Sequence, residues 1–339
     1  MRKLGVFLLG IFLSVGVASG ARSSVSLASA DSTECAEVYV GGMPAGFTLS
    51  MGGAQVLGFC DVLTDSGKRS PASEAGIRAG DLIVAANGIK IETIAELNEI
   101  LAKNGERILK CRLLRGEEEL EIPVSPAKDK GSERYKIGVL IRDGVSGIGT
   151  VTYIDKEKGR FGALGHAVVG AQDKRLSLAD GQVYACSIVG VSKGLRGKAG
   201  ELRGMFLAEK SLGKAEKLCT CGIYGKLSGS FDTKGLKRVR ATVDHVKPGK
   251  ASIFSTISGE EPKEYSIEIV KVDLGQKENK NYVIKITDQT LIEETGGIVQ
   301  GMSGSPILQN GTLVGAITHV FVNDPTRGYG IAIDQMLDQ

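Results

Sequence analysis

The sequence predicts a mainly β chain, with an N-terminal leader followed by two strand-rich units. Three observations carry that expectation. Glycine is abundant, at 47 of 339 residues, and tryptophan is absent. Short apolar runs recur between clusters of Gly, Pro, Asn and Asp. Helical periodicity is confined to a few stretches. The chain is long enough for two or three domains. With 42% hydrophobic and 24% charged residues it has an ordinary globular composition. A net charge of only +3 argues against nucleic acid as a partner.

Residues 1–30 differ from the rest. Arg2 and Lys3 form a basic start, Leu4 to Ala21 is apolar or small, and Ala28-Ser29-Ala30 offers a small-residue cleavage site. This reads as an export signal, with an uncleaved membrane anchor as the alternative. No other stretch is long and apolar enough to span a bilayer. Of the six cysteines, Cys35, Cys60, Cys111, Cys186, Cys219 and Cys221, most read as small buried thiols. Cys219-Thr220-Cys221 has no second pair or paired histidines, so neither a metal nor another cofactor is expected.

Residues 36–125 form the first unit. Glu37 to Val40 and Ala54 to Val62 read as strands. Between Thr93 and Lys103, apolar residues at Ile94, Leu97, Ile100 and Leu101 define a helix face. Thr93 and Glu96 supply its capping box. Leu109–Leu114 and Leu120–Val124 pair across Arg115-Gly116-Glu117. The run Ser70-Pro71-Ala72, Ala75-Gly76-Ile77, Gly80-Asp81-Leu82-Ile83, Asn87-Gly88 resembles a PDZ domain. By that resemblance Gly46, Phe47, Thr48 and Leu49 form the loop that receives a peptide's C-terminal carboxylate. Successive N–H groups of a glycine-bearing loop suit an anion, and the next strand can accept the peptide as an added strand. The ligand is the end of this chain or of a partner. Residues 126–134 read as a polar linker.

The second unit, 135–339, is again strand-rich: Ile137–Ile141, Gly149–Tyr153, Gln182–Val189, Ile267–Val272 and Tyr282–Ile286. The Lys- and Arg-rich stretch Lys234–Lys250 reads as a solvated face. Near the end lies Gly301-Met302-Ser303-Gly304-Ser305-Pro306, a serine bracketed by glycines. Glycines there let the chain turn sharply, expose the Ser303 hydroxyl and aim backbone N–H groups at one point. Asn310-Gly311 between apolar runs marks a tight hairpin. A turn at Asn323–Gly328 then leads to a last strand, Tyr329–Ile333. This order resembles the closing strands of a chymotrypsin-like protease with two β-barrels.

A serine nucleophile needs a base. Three histidines are present: His166, His245 and His319. His166, in Gly162-Ala163-Leu164-Gly165-His166, follows a strand and a turn and precedes the serine, as a base from the first barrel should. His319 lies on the strands after Ser303, shaping the pocket or packed in the core. His245 sits in the basic stretch and reads as surface. For a carboxylate to orient the imidazole, spacing leaves Asp173, Asp180, Asp232, Asp244, Asp273 and Asp288 open. The backbone N–H groups of Gly301 and Ser303 are the expected oxyanion donors.

Lys193-Gly194-Leu195-Arg196-Gly197-Lys198-Ala199-Gly200-Glu201 and Thr318-His319-Val320-Phe321-Val322-Asn323-Asp324-Pro325 complete a pattern over the whole chain. With the PDZ-like unit and the serine hexapeptide, it resembles the SpoIVB peptidases of endospore-forming bacteria. The resemblance implies a serine endopeptidase with His166, Asp288 and Ser303 as its triad. It implies export across the forespore membrane into the intermembrane space. It also implies self-cleavage, then cutting of a membrane-bound regulator of an intramembrane protease, which activates a late sigma factor. One departure is the absence of an acidic residue directly after the histidine, where Ala167-Val168 stands. Met302 cannot form the aspartate ion pair of trypsin-type zymogens, so activation should follow another route. The competing readings are an envelope quality-control protease and a non-catalytic PDZ scaffold.

Overall fold

The computed structural model describes residues 36–168, 178–276 and 278–339. The expected leader, Cys35 and Asp173 lie outside them. Strands β1 (Ala36–Val40) and β2 (Pro44–Phe59) come first. A hairpin follows, β3 (Val62–Thr64) with β4 (Gly67–Arg69), then α1 (Pro71–Glu74), β5 (Leu82–Ala86) and β6 (Ile89–Lys90). Next are α2 (Ile94–Asn104), β7 (Leu109–Arg115), β8 (Glu118–Val124), β9 (Ala127–Lys128) and β10 (Tyr135–Lys136). The long β11 (Val139–Asp155) leads to β12 (Arg160–Ala163), β13 (Asp180–Ser192), β14 (Glu201–Cys219), β15 (Gly222–Leu227) and β16 (Arg238–Ala241). Last come β17 (Gly249–Ser255), β18 (Lys263–Val272), β19 (Tyr282–Ile286), α3 (Gln289–Thr295), β20 (Pro306–Gln309), β21 (Thr312–Phe321), β22 (Asp324–Ala332) and α4 (Ile333–Leu337).

The pairings close two antiparallel barrels. The first runs β2–β11–β12–β15–β14–β13 and back to β2. Its interior is filled by Phe47, Leu49, Val151, Phe161, Val183 and Ile223. The second runs β17–β18–β19–β22–β21–β20 and back to β17. Ile253, Ile267, Ile269, Ile284 and Ile307 pack there around Tyr282, whose hydroxyl donates to the Val314 carbonyl at 2.8 Å. Each fully buried Ile or Leu contributes ~1.5–3 kcal/mol over leaving it in water. Closure leaves neither barrel a sheet edge of its own. Strand β1 pairs with β11 and β16, and β16 touches β21, tying the barrels together.

The PDZ-like unit is inserted between two strands of the first barrel. Its sheet runs β11–β2–β5–β7–β8. Its separate core holds Val56, Ile83, Leu97, Leu109, Leu113 and Ile137. The capping box forms as expected, with Thr93 accepting from the Glu96 N–H and Glu96 reaching back to the Thr93 N–H. Asp81 is buried and held by two Arg115 contacts at 2.9 and 2.8 Å. Together with the Arg78 N–H these keep its carboxyl below the usual range despite burial, which acts the other way.

The expected boundaries therefore move. Residues 36–53 belong with the barrels, and the PDZ-like fold runs from about Ala54 to the start of β11. Gly46, Phe47, Thr48 and Leu49 are not a carboxylate-binding loop. They lie inside β2, paired with β11 on one side and β13 on the other. Phe47 and Leu49 point into the barrel core, and a Cβ on Gly46 would meet the Phe206 ring at 2.5 Å. Their backbone N–H groups are held in a sheet, so no peptide terminus can dock on them. Residues 126–134 are no free linker either. β9 pairs with β10, and Asp129 accepts from the Gly131 and Ser132 N–H groups in the turn. Lys136 bonds the same carboxylate, whose pKa falls to about 2.

The edge strand of the PDZ-like sheet is the start of β11. Among the described residues, Val139–Arg142 pair with β2 only, leaving their other side free. Helix α2 packs beside this edge, and its first N–H, from Ile94, donates to Asp143 Oδ2 at 2.9 Å. Leu140 is 52% exposed, while Val139 and Ile141 pack against the PDZ-like core.

Candidate active site

Ser303 precedes β20 of the second barrel, and His166 follows β12 of the first. The structure brings them to one cavity of about 460 Å³. Its walls come from both barrels: Phe47, Ile148, Leu164 and Ile223 from the first, Ile298, Gln300, Thr318 and His319 from the second. The site is thus mostly apolar with a few polar groups.

The nucleophile turn is shaped by close backbone approach. Gly304 has φ +93, and a Cβ there would lie 2.2 Å from the Thr150 carbonyl oxygen and 2.6 Å from the Leu164 nitrogen. Only glycine lets the turn reach the first barrel. The approach is tied down: the Thr150 N–H donates to the Ser303 carbonyl at 3.0 Å. The Thr152 hydroxyl donates to the Gly304 carbonyl at 2.8 Å. Among the described residues the Gly301 and Ser303 N–H groups have no acceptor. Donors so arranged are available to a developing oxyanion.

The Ser303 hydroxyl donates to the Thr318 carbonyl at 2.9 Å and makes no bond to His166 in this state. His166 Nδ1 lies 2.9 Å from the Ala167 carbonyl oxygen. A carbonyl only accepts, so Nδ1 carries the proton and Nε2 keeps a lone pair. Burial pushes the His166 pKa down, with the Ala167 carbonyl opposing it. Burial thus favours the neutral imidazole at neutral pH. The His319 ring stands beside it, centroids 5.2 Å apart and planes tilted 41°. Its pKa is lowered by desolvation and then by His166 and Lys280.

Asp288 is not brought to this group. It is the N-cap of α3: Oδ1 accepts from the Leu291 N–H at 3.0 Å and Oδ2 from the Ser266 N–H at 3.3 Å. Neither oxygen bonds His166, and Asp288 does not line the cavity. No aspartate or glutamate does so among the described residues. Of the three expected triad residues, the structure brings Ser303 and His166 to one cavity and leaves Asp288 away from both, while the Ala167 carbonyl fixes the His166 tautomer. The cap was legible locally. An Asp just before Gln289-Thr290-Leu291, with Gly296 closing the segment, is a helix signature. His245 is exposed on a turn, as expected. The five described cysteines are unpaired, and Cys60 is exposed instead of buried. No group of three or more metal-ligating side chains occurs among the described residues.

Against known proteins, the family model for SpoIVB peptidase S55 matches residues 133–337, more than half of the chain. The chain belongs to the SpoIVB peptidase family. It is a serine endopeptidase, mainly β, and a PDZ domain model matches residues 62–113. Two "probable periplasmic serine endoprotease DegP-like" proteins are similar over 88 residues. That of Chlamydia muridarum is 35% identical and that of Chlamydia trachomatis 34%. The match covers 24% of this chain and only 18% of each relative's length. Among solved structures, the inactive form of the Rv3671c protease is 15% identical, covering 57% of this chain and 82% of that one, with a TM-score of 0.33. The active form of that protease, from M. tuberculosis, gives 15%, 57%, 73% and 0.34.

Proposed function

We propose that this SpoIVB-family peptidase cuts peptide bonds with Ser303 as nucleophile and His166 as base. The carrying observation is that the two residues, far apart in the sequence, line one cavity between two barrels. Ser303 Oγ attacks the scissile carbonyl while His166 Nε2 takes its proton and returns it to the leaving amine. The oxyanion lies against the Gly301 and Ser303 N–H groups, each worth roughly 3 kcal/mol in related chemistry. The resulting acyl-enzyme is opened by water with the same base. The imidazolium is supported through Nδ1–H by the Ala167 carbonyl.

Family membership supports a place in sporulation signalling. On that reading the chain is exported across the forespore membrane, cuts itself, and then cuts a membrane-bound regulator of an intramembrane protease. The two proteins similar over 88 residues carry "periplasmic" in their names, in keeping with export. Among the described residues no helix is long and apolar enough to cross a membrane. The PDZ ligand, an extended peptide end, adds as a strand along Val139–Arg142, with α2 as the second wall. Its first contact is the backbone at Gly138, where φ is +73.

The test is N-terminal sequencing of the products made by wild-type and Ser303→Ala protein. One or two discrete cuts in the wild type, and an intact folded precursor in the variant, are expected. Self-processing of Ser303→Ala at the wild-type rate would refute the assignment. Broad degradation of unfolded proteins by the wild type would favour a quality-control role over signalling.

A further inference from the structure

The serine turn holds four successive peptide planes, and each carbonyl in it has a partner. Gln300 O accepts from the Leu202 N–H at 2.8 Å, and Met302 O from the Ser305 N–H at 2.9 Å. The C=O and N–H of one trans peptide point in opposite directions. These two bonds therefore aim the Gly301 and Ser303 N–H groups. On the remaining two planes the N–H groups of Met302 and Gly304 donate to Val299 O and Ile317 O, and both carbonyls accept from one residue. Thr150 Oγ1 donates to Gly301 O at 2.8 Å, and the Thr150 N–H donates to Ser303 O at 3.0 Å. Thr150 is 2% exposed and does not line the cavity. It can act on the reaction only through the turn.

Thr150 sits on β11, and β11 serves two units. Its start, Val139–Arg142, is the free edge of the PDZ-like sheet. Asp143, next along, anchors the first N–H of α2. The pairing with β2 shifts register between Leu140 and Ile141 and again between Arg142 and Gly144. From Gly144 to Thr150 the ladder is continuous. One regular stretch of strand, paired to β2, thus joins the irregularity at Asp143 to the residue that holds the serine turn.

We propose that Thr150 is a positioning residue for the oxyanion donors, and that β11 carries the state of the PDZ edge to it. This rests on Ser303 being the nucleophile. A fluorophosphonate tests both, because its adduct places a phosphoryl oxygen in the oxyanion site. The Ser303 Oγ–P bond forms, fluoride leaves, and the serine proton passes to His166. Labelling rates are measured on the full chain, with thermal midpoints alongside, for the wild type, Ser303→Ala, Thr150→Val, Thr150→Ser, Asp143→Ala and the Asp143→Ala/Thr150→Val double variant.

Thr150→Val keeps the shape and the backbone N–H but loses the hydroxyl. It should label roughly tenfold or more slowly, the loss falling on the bond-forming rate constant and not on inhibitor binding. Thr150→Ser, which restores the donor, should recover most of that rate. Asp143→Ala should change labelling about threefold or more in the wild-type background and add little to Thr150→Val. Equal rates for Thr150→Val and the wild type overturn the positioning role. So does Thr150→Ser falling as far as Thr150→Val. An Asp143→Ala effect that is absent, or that is fully retained in the double variant, overturns the relay. A wild type that takes no label removes the nucleophile assignment itself. Labelling of the wild type but not Ser303→Ala upholds it whatever Thr150 does.

Discussion

Replacing Gly304 with alanine is the sharpest stress on the nucleophile turn. Two costs add. At φ +93 an L-residue is strained, by ~1–2 kcal/mol in the left-handed region. The new methyl would also lie 2.2 Å from Thr150 O and 2.6 Å from Leu164 N. Both obstacles are backbone, so no rotamer change relieves them, and overpacking of this kind costs ~1–3 kcal/mol. The total is about 2–5 kcal/mol. Where the fold survives, the turn must retreat from Thr150, which misplaces Ser303 and should slow acylation by ~100-fold or more. Gly311 is the control. Its φ is +80, but nothing lies within 4 Å of its Cβ position, so Gly311→Ala carries only the conformational cost. Denaturant unfolding gives the stability difference, and active-site titration with a chromogenic acylating ester gives the rate. If Gly304→Ala matches Gly311→Ala in both stability and acylation, the close approach is not what shapes the site.

Other outcomes follow from the same contacts. Asp288→Asn keeps an oxygen for the Leu291 N–H but loses the acceptor for the Ser266 N–H, so it should cost less than Asp288→Ala, which should cost ~1 kcal/mol in thermal unfolding. A triad aspartate behaves differently: its Asn variant loses ~10⁴ in turnover, so a peptidase assay on Asp288→Asn separates the two. The acid limb of kcat/KM should lie below 6.5, the ordinary His value, because burial lowers the His166 pKa. Activity should be full at pH 7 and lost as pH falls through that lowered value; a limb above 6.5 contradicts the burial argument. The buried histidine also binds its proton more weakly than the unfolded chain does. Its contribution to stability is therefore present above the unfolded pKa and fades as pH falls, which acid-unfolding curves of wild-type and His166→Gln protein can compare. Deleting 36–125, the first-unit boundaries expected from sequence, should leave no folded peptidase by circular dichroism, since it removes β1 and β2 from the barrel assembly.

Features written in local chemistry were legible in the sequence. Asn310 and Gly311, at φ 52 and 80, make the tight turn that their side chains favour, and β19 spans Tyr282–Ile286 as its alternation suggested. The capping box at Thr93 set the start of α2. The tight turns that carry Ser303 and His166 to one cavity were legible because each has a glycine signature with a steric reason. What failed depends on partners distant in sequence. Gly46-Phe47-Thr48-Leu49 has the residues of a binding loop, and only its pairing with β13 shows it to be a buried strand. A strand can also cross a domain boundary unmarked. β2 and β11 run from one unit into the other with no break in composition. Asp288 was chosen by likeness, while its local context, a cap before an apolar turn, pointed to structure.

On the proposed mechanism Ser303 and His166 act together across the two barrels. Mass-spectrometric mapping of a fluorophosphonate adduct on the intact chain tests that directly. The adduct should fall on Ser303 and nearly vanish in His166→Ala protein of unchanged fold. An adduct on another residue, or one formed at the wild-type rate without the imidazole, would contradict it.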